Sequence, residues 1–252
     1  MTRVGEVIST VKANHAFDLR LRFFLSFRFV ACLLIPGALC LFSLAGSTQA
    51  GRDDGVCLCA TAAAAKCFPA WNQVQTPSGS NSFYAIAAFV QNDVWAVGSR
   101  YDGINDRPLA EHFDGSRWTV VPVPAPGNGA AYLRGVNGSS GADVWAAGYQ
   151  TTQSGAQQSL IEHYDGVAWS IIPSANPTSL AVYLSSVVAA APNTVWAAGY
   201  YLDNAGIYRT LAERWDGDSW TIVRTPNAGN GDNALNGLAA TGPNDVWAVV
   251  IG

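Results

Sequence analysis

The sequence predicts an all-β fold made of repeated four-stranded antiparallel sheets. Three observations predict it. One phrase occurs three times, as AEHFDGSRWTVVP (110–122), IEHYDGVAWSIIP (161–173) and AERWDGDSWTIVR (212–224). A second phrase interleaves with it four times, as NDVWAVG (92–98), ADVWAAG (142–148), NTVWAAG (193–199) and NDVWAVV (244–250). No segment past residue 70 carries a helical period. Trp118, Trp169 and Trp220 are 51 residues apart, and Trp95, Trp145, Trp196 and Trp247 are 50 or 51 apart. A fixed period near 50 marks stacked supersecondary units.

Residues 132–173 show the unit in order. YLRGVNGS is a semi-apolar run closed by Gly and Ser. DVWAAGY is β-branched and aromatic and ends near a Gly. SLIEHYDG sets Leu160, Glu162 and Tyr164 against Ile161, His163 and Asp165, the period of two of a strand. AWSIIP is a last strand stopped by Pro173. Asp165-Gly166 joins the last two strands with hairpin chemistry. Four strands in about 50 residues, repeated, describe β-propeller-type blades.

The first two strands occur four times and the third only three. WNQVQTPSG (71–79) repeats the last strand once more. About 3.5 to 4 blades follow, in an open or truncated arc. The alternative is a four-blade ring closed onto the Trp71 strand.

Val-Trp-Ala-Ala-Gly, an aromatic-Asp-Gly strand end, Trp169 and a Pro-rich turn resemble the kelch-type propeller repeat. Kelch repeats carry a double glycine after the second strand. This chain has one, at Gly98, Gly148 and Gly199, and Val250 in the last copy. The resemblance covers about 71–252 and implies a fold shared by enzymes and binding proteins alike. Asp-Gly-x-x-Trp spaces its residues unlike the Asp-box of sialidase-like propellers.

The first fifty residues differ from the rest. Arg3, Lys12, Arg20, Arg22 and Arg28 oppose only Glu6 and Asp18. An uncharged apolar stretch, 29–46, follows, then the small-residue site Thr48-Gln49-Ala50. Residues 1–50 read as a signal peptide or an amino-terminal membrane anchor. A helix is expected over 29–45. Either reading places the rest outside the cytoplasm, secreted or held to the membrane only by this segment. Residues 51–70 form a Cys/Ala-rich linker and 71–252 the repeat domain. The five cysteines lie at 32, 40, 57, 59 and 67. One disulfide is expected, Cys67 with Cys57 or Cys59.

Past residue 50, nine basic residues face sixteen acidic ones. An acidic body disfavours phosphate backbones, so nucleic acid is not the expected partner. Neither a cofactor nor a metal is expected. Asp102, Asn105 and Asp106 read as a solvated turn rather than a calcium loop. His112 and His163 follow the repeat and read as strand-surface residues.

A catalytic group is needed once per site, whereas Glu111, Glu162 and Glu213 recur, as do Asp114, Asp165 and Asp216. These acids read as structural, bonded locally to backbone or to a Trp N–H. The tryptophans of both phrases read as packing between blades. No Cys/His nucleophile pair, G-x-S-x-G or phosphate loop occurs. Function is then expected where copies differ, in the variable loops. Tyr101, Tyr149, Tyr200 and Tyr201 are candidate binding residues for a glycan or protein partner, and Arg107 and Arg209 candidate carboxylate clamps. Arg134 is singular too and could clamp a carboxylate as they could, and nothing in the sequence marks the three as convergent. The expected function is an exported, non-enzymatic binding or scaffold protein. The alternatives are a lectin-like glycan binder and a sialidase-like or galactose-oxidase-like enzyme.

Overall fold

The structure, a computed structural model, describes residues 3–7 (backbone only), 76–77, 81–178 and 180–251. The apolar stretch 29–46, the cysteines and the Trp71 strand lie outside the described residues. Within them the chain is all-β. No helix of the described residues is long and apolar enough to cross a membrane.

Three complete four-stranded sheets follow one another along the chain. The first holds β2 (Asn81–Val90), β3 (Asp93–Tyr101), β4 (Asp106–Phe113) and β5 (Trp118–Val121). The second holds β6 (Ala131–Ser140), β7 (Asp143–Thr151), β8 (Gln157–Tyr164) and β9 (Trp169–Ile171). The third holds β10 (Val182–Ala191), β11 (Thr194–Leu202), β12 (Tyr208–Trp215) and β13 (Trp220–Val223). Each is an antiparallel meander in chain order. The fourth sheet pairs β14 (Ala234–Gly242) with β15 (Asp245–Ile251). Its third strand is β1 (Arg3–Val7), parallel to β15 with Arg3 opposite Asp245. Five residues inside a basic leader carry too little periodicity to be read as a strand. The free edge of β15 supplies the pairing.

Consecutive sheets pack face to face through their first strands, β2 on β6, β6 on β10 and β10 on β14. The repeated tryptophans build these contacts. Trp169 of the second sheet meets Trp95 of the first edge to face, and Trp220 of the third meets Trp145 of the second likewise. Around each pair closes an apolar cluster. Val97, Leu133, Val144 and Leu160 join the first, and Ile161, Leu184, Val195 and Leu211 the second. Trp95, Trp145 and Trp196 are buried, as the repeat predicts, but Trp247 is 42% exposed. Each buried tryptophan lies under the sheet that follows it. Among the described residues no sheet packs beyond the fourth.

The hairpins show why Asp-Gly recurs. Asp165 Oδ1 accepts the N–H groups of Val167 and Ala168, both at 2.9 Å. Asp114 and Asp216 do the same two and three residues on. Gly115, Gly166 and Gly217 take φ of 92°, 91° and 105°, a region costly to any side chain.

The buried glutamates differ from expectation. Glu111, Glu162 and Glu213 are fully buried on the third strands. Neither carboxyl oxygen of Glu111 or Glu162 meets a hydrogen-bond partner among the described residues. Polar groups of Ser174 and Ala175 approach Glu213 without completing a bond. The Trp Nε1 groups expected to meet them do not. Trp95 donates instead to the Gly141 carbonyl (3.2 Å), and the Nε1 groups of Trp145, Trp169, Trp196 and Trp220 meet no acceptor among the described residues. Burial pushes Glu162 up to about 9 and Glu213 to about 7, so Glu162 is neutral at pH 7.

Candidate functional site: a tyrosine-lined groove built on four β-bulges

The first strand of every sheet slips register twice, once near its end and once, at an equivalent place, near its start. The slip near the start falls between Phe83 and Ala85, Leu133 and Gly135, Leu184 and Ser186, and Leu235 and Gly237. One residue is left out of the ladder each time: Tyr84, Arg134, Ser185 and Asn236. A bulge re-aims the side chain it carries. Opposite the bulge the chain needs glycine. A Cβ at Gly98, Gly148 or Gly199 would lie 1.8, 1.8 or 1.9 Å from the carbonyl oxygen of Ser82, Tyr132 or Tyr183. That accounts for the single glycine closing Val-Trp-Ala-x-Gly in three copies.

All four bulged side chains line one groove, of ≈ 360 Å³, together with Tyr149, Tyr183 and Tyr200. A second hollow of ≈ 490 Å³ adjoins it, sharing Tyr183, Tyr200 and Asn236 and adding Tyr208 and Asp232. The tyrosines form a ladder. Ring centroids run from Tyr132 to Tyr149 (5.0 Å), Tyr183 (4.8 Å), Tyr200 (5.0 Å) and Tyr208 (5.3 Å). Burial, and then neighbouring rings, raise the phenols of Tyr183 and Tyr200, which stay neutral donors at pH 7. Tyr132 is pushed to about 12 by burial and by Asp106, which accepts its hydroxyl at 2.8 Å.

Arg134 is the cation of the groove. Its guanidinium carbon lies 4.3 Å from the ring centroid of Tyr84 and 5.8 Å from that of Tyr149. The side chain is exposed, with no carboxylate partner among the described residues. The residues lining the hollow around it hold hydroxyl and amide groups but no acid. Asp232 borders the adjoining hollow, where it accepts the Tyr208 N–H at 2.9 Å.

Solved structures resemble the chain at low identity. YCF48 bound to D1 peptide is 16% identical, with a TM-score of 0.38 over 64% of this chain and 50% of that one. A fucose lectin from Kordia zhangzhouensis in complex with methyl-fucoside is 13% identical (TM-score 0.37, 57% of this chain and 99% of that one). YjhT is also 13% identical (TM-score 0.37, 64% and 59%). The chain thus spans about half the length of the first. No protein-family model matches the chain, and no curated protein does.

Of the sequence-predicted binding residues, the structure brings Tyr149 and Tyr200 together in the groove. Tyr101 is 58% exposed on another hairpin and donates to its own turn, at the Gly103 carbonyl. Tyr201 packs against the core cluster between the second and third sheets. Arg107 and Arg209 are held inside their own loops. Arg107 Nε lies 2.6 Å from Asp102 and Arg209 Nε 2.8 Å from Asp203. Asp102 also accepts the N–H groups of Ile104 and Asn105, so its carboxylate holds its own turn. His112 and His163 stack on Trp95 and Trp145 and bond Asp93 and Asp143.

Sequence reasoning missed Tyr84, Tyr183, Tyr208, Ser185 and Asn236; it named Arg134 as a possible carboxylate clamp beside Arg107 and Arg209 but did not bring it to the tyrosines. A signal was present. Tyr84, Arg134, Ser185 and Asn236 each lie eleven residues before a repeated Trp, so all four hold one place in the repeat. The preceding residue is Phe or Leu and the following one Ala, Gly or Ser, while this place holds four different chemistries.

Proposed function

We propose that this chain is an exported, non-enzymatic binding module of kelch-like repeats, taking its ligand in the bulge-lined groove. The carrying observation is the convergence of Tyr84, Arg134, Ser185 and Asn236. The structural places of the repeat are near-constant, while this one changes in every copy and all four versions meet in one hollow. The lining supplies stacking faces, neutral donors and one cation, a set suited to holding a polar ligand with an apolar face. A protein segment or a glycan offers such a ligand, and the tyrosine ladder favours the glycan. Export rests on the basic, apolar and small-residue order of residues 1–50.

The test is a glycan and peptide array probed with the wild-type chain and with Tyr149→Ala and Tyr200→Ala variants that retain their folding transition. Hits that both variants lose support the groove. Hits that both variants keep would place the function on the loops instead, and turnover of any bound compound would end the non-enzymatic reading. Mass spectrometry of exported material should find a start near Gly51; Met1 on a membrane-bound product favours the anchor.

A further inference from the structure

We infer that the groove selects a carboxylate-bearing ligand and that Arg134 is the residue that selects it. The inference rests on the binding role proposed above and adds the chemistry of the ligand.

The geometry around Arg134 carries it. The guanidinium carbon lies 4.3 Å over the Tyr84 ring, a contact that uses none of its N–H groups as hydrogen-bond donors to oxygen. Those donors match a planar two-oxygen acceptor. Other arginines of the chain show the contrast. Arg107 and Arg209 each spend Nε on an aspartate of their own loop, at 2.6 and 2.8 Å. Arg134 has no such partner among the described residues, and the hollow around it is lined without an acid. Tyr149, Tyr183, Tyr200, Ser185 and Asn236 add hydroxyl and amide donors on the same wall. A donor-rich, acid-free hollow with one unpaired guanidinium is an anion site by composition.

The charge of the ligand follows from the rest of the chain. The whole sequence carries a formal net charge of −4 at pH 7. Asp232 borders the adjoining hollow. A multiply charged phosphate meets more repulsion there than a singly charged carboxylate does. The tyrosine rings beside Arg134 provide a surface for the ligand's ring or hydrocarbon part.

The experiment measures binding of D-galacturonate, benzoate, their uncharged methyl esters and inorganic phosphate to the full chain, by calorimetry or ligand-observed NMR. The acids are expected to bind more tightly than the esters, and added salt to weaken the acids alone. Arg134→Gln should weaken the acids about ten- to hundredfold, the loss of charge-assisted hydrogen bonds, and weaken the esters far less. Arg134→Lys should restore only part, because a point charge lacks the two-pronged fit. Tyr200→Ala should weaken acids and esters alike. Esters binding as well as acids, or acids unaffected by Arg134→Gln, would overturn the inference while leaving the groove a binding site. Phosphate bound more tightly than either acid would also overturn it. Absence of binding by every probe would remove the inference and count against the groove as a whole.

Discussion

Trp169 of the second sheet stands edge-on to Trp95 of the first, with ring centroids 5.4 Å apart and planes at 79°. The two positions lie in different phrases of the repeat, and their meeting joins successive sheets. Trp145 and Trp220 repeat the contact between the second and third sheets at 5.6 Å and 77°. The strongest structural predictions follow from this contact.

Trp95→Ala should cost about 3–5 kcal/mol, the range for deleting a large buried aromatic. Trp169→Ala should act similarly, because both line one cluster. Trp247→Ala should cost clearly less, since that ring is 42% exposed. Denaturant unfolding of the three variants measures this. Equal losses at Trp95 and Trp247 would mean that the fourth tryptophan is covered in solution.

Gly166→Val should destabilise by about 1–2 kcal/mol from backbone conformation alone. Its φ is 91°, and a Cβ there would lie 3.3 Å from Ala142. Asp165→Ala should lower the melting temperature at neutral pH by removing the acceptor of two turn N–H groups. Those bonds hold the Asp165 carboxyl below its ordinary range. A lowered folded-state pKa stabilises above the unfolded pKa and is lost as pH falls through the folded one. The gap between Asp165→Ala and wild type should therefore shrink in strong acid. A gap independent of pH would show that the carboxylate does not act through these bonds.

Glu162 gives the opposite dependence. Burial raises it from 4.5 to about 9. Between these values the unfolded chain has released this proton and the folded chain holds it. The unfolded state then binds fewer protons, so this group lowers stability as pH rises through that window. Glu162→Gln, uncharged throughout, should gain on wild type progressively from about pH 5 to pH 9 in a series of melts. Parallel curves would show that Glu162 is ionised in the folded protein.

Arg107→Gln and Arg209→Gln should leave binding in the groove unchanged. Both guanidinium groups are tied to loop aspartates, and Arg107 Nη1 also reaches the carbonyls of Gly127 and Gly129. The variants should loosen those loops, seen as faster amide exchange at Asn105 and Ile207. Loss of ligand in either variant, with Arg134 intact, would move the anion site out to the loops.

By itself the sequence determined the repeat, the all-β class, the four-strand unit and the turn role of Asp114, Asp165 and Asp216. These are local properties: a period near 50, an alternation of two, and a side chain bonding two or three residues ahead. Tertiary structure alone decided three other things. Which tryptophan is covered depends on a neighbouring sheet, so four identical positions gave three buried rings and one exposed. The glutamates read as hydrogen-bonded proved buried without a completed hydrogen bond among the described residues, because alternation shows which face a residue takes but not what lies opposite. The groove was hidden for a related reason. A β-bulge turns one residue out of its strand, and Tyr84, Arg134, Ser185 and Asn236 share a site only because the first strands of successive sheets pack against one another. In the chain they are 50 or 51 residues apart, and pairing register, not composition, aims them together.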